Sequence, residues 1–87
     1  MQFITLHLFE ETYGGIRYVS KISIIPSQIC SLRKSDWQLS EKYKREILFK
    51  NPNLSQADIE LSELTLTDGT GILLVAESEA YIKKLLS

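Results

Sequence analysis

Residues 61–86 read LSELTLTDGTGILLVAESEAYIKKLL, and the fold turns on how this stretch is taken. Two apolar runs flank Asp68-Gly69, a dipeptide that favours the two-residue type I′ hairpin turn because both residues tolerate positive φ. A turn centred there sets Thr67 opposite Thr70, and then pairs Leu66 with Gly71, Thr65 with Ile72 and Leu64 with Leu73. Alternation along the two strands then separates the faces. One carries Leu64, Leu66, Leu73 and Val75, and the other Leu61, Ile72, Leu74 and Ala76 with Glu63 and Thr65.

Residues 72–75 are apolar on both faces, the pattern of a central strand covered on both sides. In a chain of 87 residues the core is thin, since a domain this small buries only about 60% of its unfolded surface. The second cover is therefore expected from another copy of the chain, with Ile72 and Leu74 forming an oligomer face. After the strand, Ser78 suits an N-cap and Glu79 the first turn of a helix, while Lys83 and Lys84 suit its C-terminal end. Tyr81, Ile82, Leu85 and Leu86 give that helix one apolar side, which must dock on the sheet because a helix this short is marginal alone.

Upstream, residues 3–9 alternate as a half-buried strand, with Ile4, Leu6 and Leu8 on one side and Phe3, Thr5, His7 and Phe9 on the other. Residues 10–15, EETYGG, read as a loop into a second strand over 16–25, which is rich in β-branched residues. Pro26 has no N–H for a ladder, so the strand breaks there and 26–29 make one tight turn. A third, short strand over 29–33 would put Cys30 and Leu32 on one face and Ile29, Ser31 and Arg33 on the other.

Residues 34–60 differ in kind and read as a helical insertion between strands. Ser35 with Gln38 fits a capping box for a helix over 36–49, in which Leu39, Tyr43 and Ile47 form an apolar stripe. A short strand over 47–49 is the alternative, because three consecutive bulky residues exceed one helical stripe. Asn51-Pro52-Asn53 stops the helix, and Ser55 with Asp58 suggests a single further turn.

Apolar residues make up 44% of the chain and charged residues 24%, with a net charge of -1. That composition is ordinary for a globular domain and gives no overall attraction to nucleic acid or anionic lipid. The N-terminus lacks a positive region ahead of an apolar run, and no stretch approaches the roughly 18 apolar residues of a membrane span. A cytoplasmic protein with no membrane partner is the expectation. A single cysteine excludes an internal disulfide and any CxxC site. Charge is nevertheless uneven. Six of the ten Lys and Arg residues (Arg33, Lys34, Lys42, Lys44, Arg45, Lys50) lie within 33–50, while 51–82 hold acids and no Lys or Arg.

The run ISIIPSQICSL at 22–32, followed by LTLTDGT at 64–70 and VAES at 75–78 ahead of Ile82 and Leu85, resembles the small FlbD-like flagellar accessory proteins. The resemblance covers a little under half the chain. Those proteins have the order strand, proline turn, strand, hairpin, helix, and a comparable Glu-Ser helix start. The resemblance implies a small accessory protein without enzymatic activity. The 34–60 segment and the longer N-terminal hairpin lie outside it. LTLTDGT and the closing helix are also similar to response-regulator DNA-binding domains of the LytTR type, but the basic strand-connecting loops those domains use on DNA are missing.

Reactive groups are sparse and scattered. His7, the only histidine, has no Cys, Asp or Glu at ligand spacing and reads as structural, because one ligand does not make a zinc site. Cys30 next to Leu32 reads as a small buried hydrophobe. No GxSxG elbow, Walker loop or GxGxxG occurs, and Asp68-Gly69-Thr70-Gly71 lacks the Lys and following helix of a phosphate loop. Glu10 with Glu11 lies in the expected loop, and Glu77 with Glu79 stands at a helix start where acids serve the dipole. No catalytic residue, metal or cofactor is implied, and the chain does not read as an enzyme.

Taken together, the sequence predicts one α+β domain: a mainly antiparallel sheet of about five strands, an inserted helix and a C-terminal helix packed on the sheet. Its expected role is a non-catalytic protein-binding or adaptor module, open to self-association. The interaction candidates are Arg33, Lys34, Trp37, Lys42, Tyr43, Lys44 and Arg45, since Trp, Tyr and Arg anchor interfaces. Two alternatives stand beside it: a nucleic-acid-binding regulator using 33–50, and an inhibitor from a phage or mobile element acting by protein binding.

Overall fold

The hairpin read from residues 61–86 lies in the middle of the sheet. The structure, a computed structural model, describes residues 3–69 and 71–86. β4 (Ile59–Leu66) and β5 (Ile72–Glu77) pair antiparallel with Thr65 opposite Ile72 and Leu64 opposite Leu73, the register expected from the turn. The turn itself differs. Gly69 N donates to Leu66 O at 3.3 Å, Gly69 has φ +77°, and no described non-glycine residue has positive φ. The turn is therefore centred on Thr67 and Asp68 rather than on Asp68-Gly69. A left-handed L-residue costs about 1–2 kcal/mol, and the glycine takes that conformation instead. The expected Thr67–Thr70 pairing lies outside the described residues.

β1 (Ile4–Thr12) and β2 (Gly15–Ile24) form a longer hairpin, paired from Ile4 opposite Ile24 to Thr12 opposite Gly15. The loop expected over 10–15 thus shrinks to Tyr13-Gly14, and Glu10 and Glu11 belong to a strand. Pro26–Gln28 makes a 3₁₀ turn, with Gln28 N donating to Ile25 O at 2.9 Å, and leads into β3 (Ile29–Lys34). The five strands stand in the order β2-β1-β5-β4-β3, all neighbours antiparallel.

Cys30 is exposed and not in the core. The β3–β4 register shifts between Ile29 and Ser31, so an extra residue is inserted in β3 at Cys30. That bulge turns Ile29 and Leu32 onto the same cluster and leaves the thiol outside.

α1 is Glu41–Lys50, with Ser40 as its N-cap accepting from Tyr43 N at 3.4 Å. It starts five positions after the predicted residue 36. Ser35 is held by the sheet instead: its N–H donates to Leu61 O at 3.0 Å, and its Oγ accepts from Trp37 N at 3.1 Å. Residues 36–40 then cross from the sheet edge and drop Leu39 into the core, where Tyr43 and Ile47 continue the stripe. Residues 47–49 are helical, which settles the alternative. α2 (Glu79–Leu86) starts as predicted, with Ser78 Oγ accepting from Tyr81 N at 3.1 Å.

The two helices cover opposite faces. Phe9, Ile59, Leu61, Leu74 and Ala76 pack with Leu39 and Ile47 on the α1 side, and Ile4, Leu6, Ile24, Leu64 and Val75 pack with Ile82 of α2. One chain therefore supplies both covers for β5, and Leu74, at 7% exposure, does not sit on an open oligomer face. The 34–60 segment is the cover that a short chain seemed to lack.

Two substitutions check this packing. Ile82 is fully buried, so Ile82→Ala should lower unfolding stability in urea by about 2–5 kcal/mol, while Leu85→Ala should change it far less. Ser62 Oγ is buried without a hydrogen-bond partner, so Ser62→Ala should be neutral or stabilising by up to about 1 kcal/mol.

Candidate functional site

Three cations of the basic segment are paired with carboxylates. Arg33 pairs with Glu63 at 2.7 Å, Lys34 with Glu60 at 3.1 Å, and Lys44 with Glu41 at 3.9 Å. Trp37 Nε1 donates to Glu11 Oε1 at 3.0 Å. Tyr43 turns inward and stands edge-on to Phe9, ring centroids 5.4 Å apart. Lys42 and Arg45 are exposed on α1. Lys34, Trp37 and Lys44 do share a groove of about 740 Å³, but Asp36, Glu41 and Glu60 line it too. The groove is thus of mixed charge.

The residues expected to form an oligomer face separate. Leu74 is core, while Ile72 stays 59% exposed. The reason lies in how β1 meets β5: their ladder consists of Leu8 opposite Val75 and Phe9 opposite Leu74. Beyond Phe9, β1 follows β2 alone, and a cleft of about 410 Å³ opens between the two hairpins. Leu8, Phe9, Leu73 and Leu74 contribute its apolar lining, Val19 and Ile72 are its exposed apolar members, and Glu10, Glu11 and Glu63 add carboxylates.

On the other side of that junction the sheet is joined by a side chain. Glu77, the last residue of β5, is 2% exposed. Its Oε1 accepts from His7 N at 3.0 Å and its Oε2 from His7 Nδ1 at 2.6 Å. Since the carboxylate can only accept, the Nδ1–H tautomer of the ring is the one that fits. Nε2 then faces Asn51 Nδ2 at 3.4 Å, an amide that also donates to Ile47 O at 2.9 Å. Tyr18 flanks the imidazole, ring centroids 6.2 Å apart. Burial first, and then the carboxylates of Glu77 and Asp58, push the Tyr81 phenol above its usual range.

In the sequence Glu77 reads as part of a helix-start pair with Glu79, and His7 as a residue without a ligand-spaced partner. They lie 70 positions apart, so no local spacing could signal the pair. The alternation that aimed His7 at a sheet face was the only available hint. Compared with protein-family models, curated proteins and solved structures, the chain matches none. Nothing in those comparisons bears on the FlbD-like resemblance. The structure itself defines the class, a small α+β domain with a five-stranded antiparallel sheet between two helices.

Removing the carboxylate orphans two buried donors, each costing about 1–3 kcal/mol. Glu77→Ala should therefore lower stability in urea far more than Glu79→Ala, whose side chain lies at the helix surface. A phenol held neutral by folding loses stability as pH rises, because the unfolded chain releases that proton first. Stability of the native protein should thus decline once pH passes the usual tyrosine value of about 10, and Tyr81→Phe should flatten part of that decline.

Proposed function

We propose that the protein is a non-catalytic protein-binding module that receives a segment of its partner in the cleft where β1 parts from β5. The observation that carries this reading is the pair Val19 and Ile72, at 43% and 59% exposure, lining one cleft with an apolar floor and three carboxylates. Exposed apolar side chains gathered in one concavity mark contact sites far better than scattered ones. Among the described residues these carboxylates meet Arg17 (Glu10), Trp37 (Glu11) and Arg33 (Glu63). The Glu10–Arg17 pair is exposed on both sides, and such pairs are worth about 0–1 kcal/mol, so a ligand cation can exchange for Arg17 there. The fitting partner segment carries a bulky apolar residue beside Lys or Arg. The FlbD-like resemblance, which implies an accessory protein without enzymatic activity, points in the same direction.

The nucleic-acid reading has less support, because the groove that Lys34 and Lys44 line is lined by Asp36, Glu41 and Glu60 too, and Tyr43 is turned into the core. Selection from a displayed random-peptide library tests the proposal. Enriched peptides should pair Leu, Ile or Phe with a basic residue, and Ile72→Arg should abolish their binding while leaving the urea midpoint unchanged. Peptides without that signature, or binding indifferent to Ile72→Arg, would sink the reading. Steeply salt-dependent binding of RNA or DNA lost in a Lys42→Ala/Arg45→Ala variant would favour the alternative.

A further inference from the structure

A second concavity, separate from the peptide cleft, surrounds the His7 ring. Its volume is about 260 Å³, and His7, Lys21, Lys50, Asn51, Glu77 and Tyr81 contribute its polar lining. Lys21 comes from β2, Lys50 and Asn51 from the end of α1, and Tyr81 from α2. Among the described residues neither Lys21 nor Lys50 forms a salt bridge, whereas Arg17, Arg33, Lys34, Lys44 and Lys83 each do. Two cations without a carboxylate partner thus stand beside a buried imidazole backed by a carboxylate.

The imidazole is satisfied in one protonation state only. With Nδ1–H on Glu77, Nε2 accepts from Asn51 Nδ2, and that amide is anchored on Ile47 O. A second proton on Nε2 would point a donor at a donor, leaving a buried N–H unpaired unless an acceptor enters the cleft. We propose that this cleft binds a tetrahedral dianion of the phosphate type, taken up together with a proton on His7.

The cleft favours an anion. Lys21, Lys50 and Glu77 sum to one positive charge, and a protonated His7 raises that to two. Glu46, Tyr18 and Tyr43 also stand near the ring, lining the adjoining pocket of about 60 Å³ that His7, Lys21 and Lys50 line as well. Glu46 takes one charge off that sum, and the match between the oxygens of a tetrahedral anion and the donors around the cleft selects the ligand. Asp58 acts on the Tyr81 phenol, which stays neutral and keeps its O–H as a donor. The ligand accepts from His7 Nε2, Asn51 Nδ2 and the two ammonium groups, and charge-assisted bonds of this kind are about twice as strong as neutral ones.

As the chain holds a single histidine, its imidazole NMR signals report the site without ambiguity. Sulfate keeps its charge across neutral pH, so a titration with sulfate at about pH 6 and about pH 8, which bracket the range where imidazole changes charge, isolates the proton on the protein. Saturable movement of the His7 signals is expected at the lower pH, with affinity at least about tenfold weaker at the higher one. Lys21→Ala and Lys50→Ala should each weaken sulfate by about tenfold, the equivalent of one charge-assisted bond, and the Arg replacements should restore it. Lys42→Ala, on the exposed surface of α1, should have no effect. Inorganic phosphate and adenosine 5′-monophosphate then separate the sources: equal affinities assign the site to free phosphate, and tighter nucleotide binding assigns it to a phosphate monoester. No saturable shift, equal affinity at the two pH values, or an equal loss in Lys42→Ala would overturn the proposal.

Discussion

The sheet is held at its middle by a junction of little backbone and one carboxylate. β1 and β5 share two residue pairs, and beside them Glu77 accepts from both the backbone and the ring of His7. That junction joins the β1–β2 ribbon to the ribbon of β3, β4 and β5, and the two core clusters pack across it on either face. Isolated two-stranded ribbons are marginal in water. Burying a carboxylate is costly unless its oxygens are bonded, and here both are. The same shortness of ladder leaves the hairpins free to part on one side, opening the apolar cleft, and on the other side gives Glu77 a place to reach His7.

Covering β5 on both faces takes two helices of different origin. α2 follows β5 directly and folds under the sheet, bringing Ile82 onto Val75 and Leu64. α1 belongs to the long connection from β3 to β4 and reaches the opposite face only after Ser35 has extended the β3 ladder. Antiparallel sheets often leave one face wet. In this chain the connection between β3 and β4 removes that option, and the core divides into two clusters separated by the sheet.

Local chemistry made part of this visible beforehand. The β4–β5 register followed from alternation and from placing a tight turn next to Gly69, although that turn centres one residue earlier than Asp68-Gly69, and the Ser78 cap followed from residue type and spacing. These depend on neighbours in sequence. The misplaced features depend on distant ones. Ser35 has the side chain of a helix cap, yet its N–H is taken by Leu61 from another strand, so the helix waits for Ser40. Cys30 alternates like a core residue, yet a bulge against β4 turns it out. Leu74 reads as needing a second molecule because the apolar stripe of Leu39, Tyr43 and Ile47 does not tell which face of the sheet it covers. The Arg33–Lys50 charges looked like one patch because their carboxylate partners Glu60 and Glu63 lie beyond the segment.

The strand order also sets a sequence of events for folding. The central neighbours β1 and β5 stand almost at opposite ends of the chain, so β1 cannot complete its pairing until residues 72–77 are in place. Until then Leu6, His7 and Phe9 stay open on an unpaired edge, a state that invites pairing with another chain. Contacts this far apart in sequence form slowly because closing the intervening loop costs entropy first. The charged pair of Glu10 and Arg17 near the hairpin tip lies in the stretch that remains without a β5 partner even in the finished fold, where it discourages edge pairing after the rest has closed.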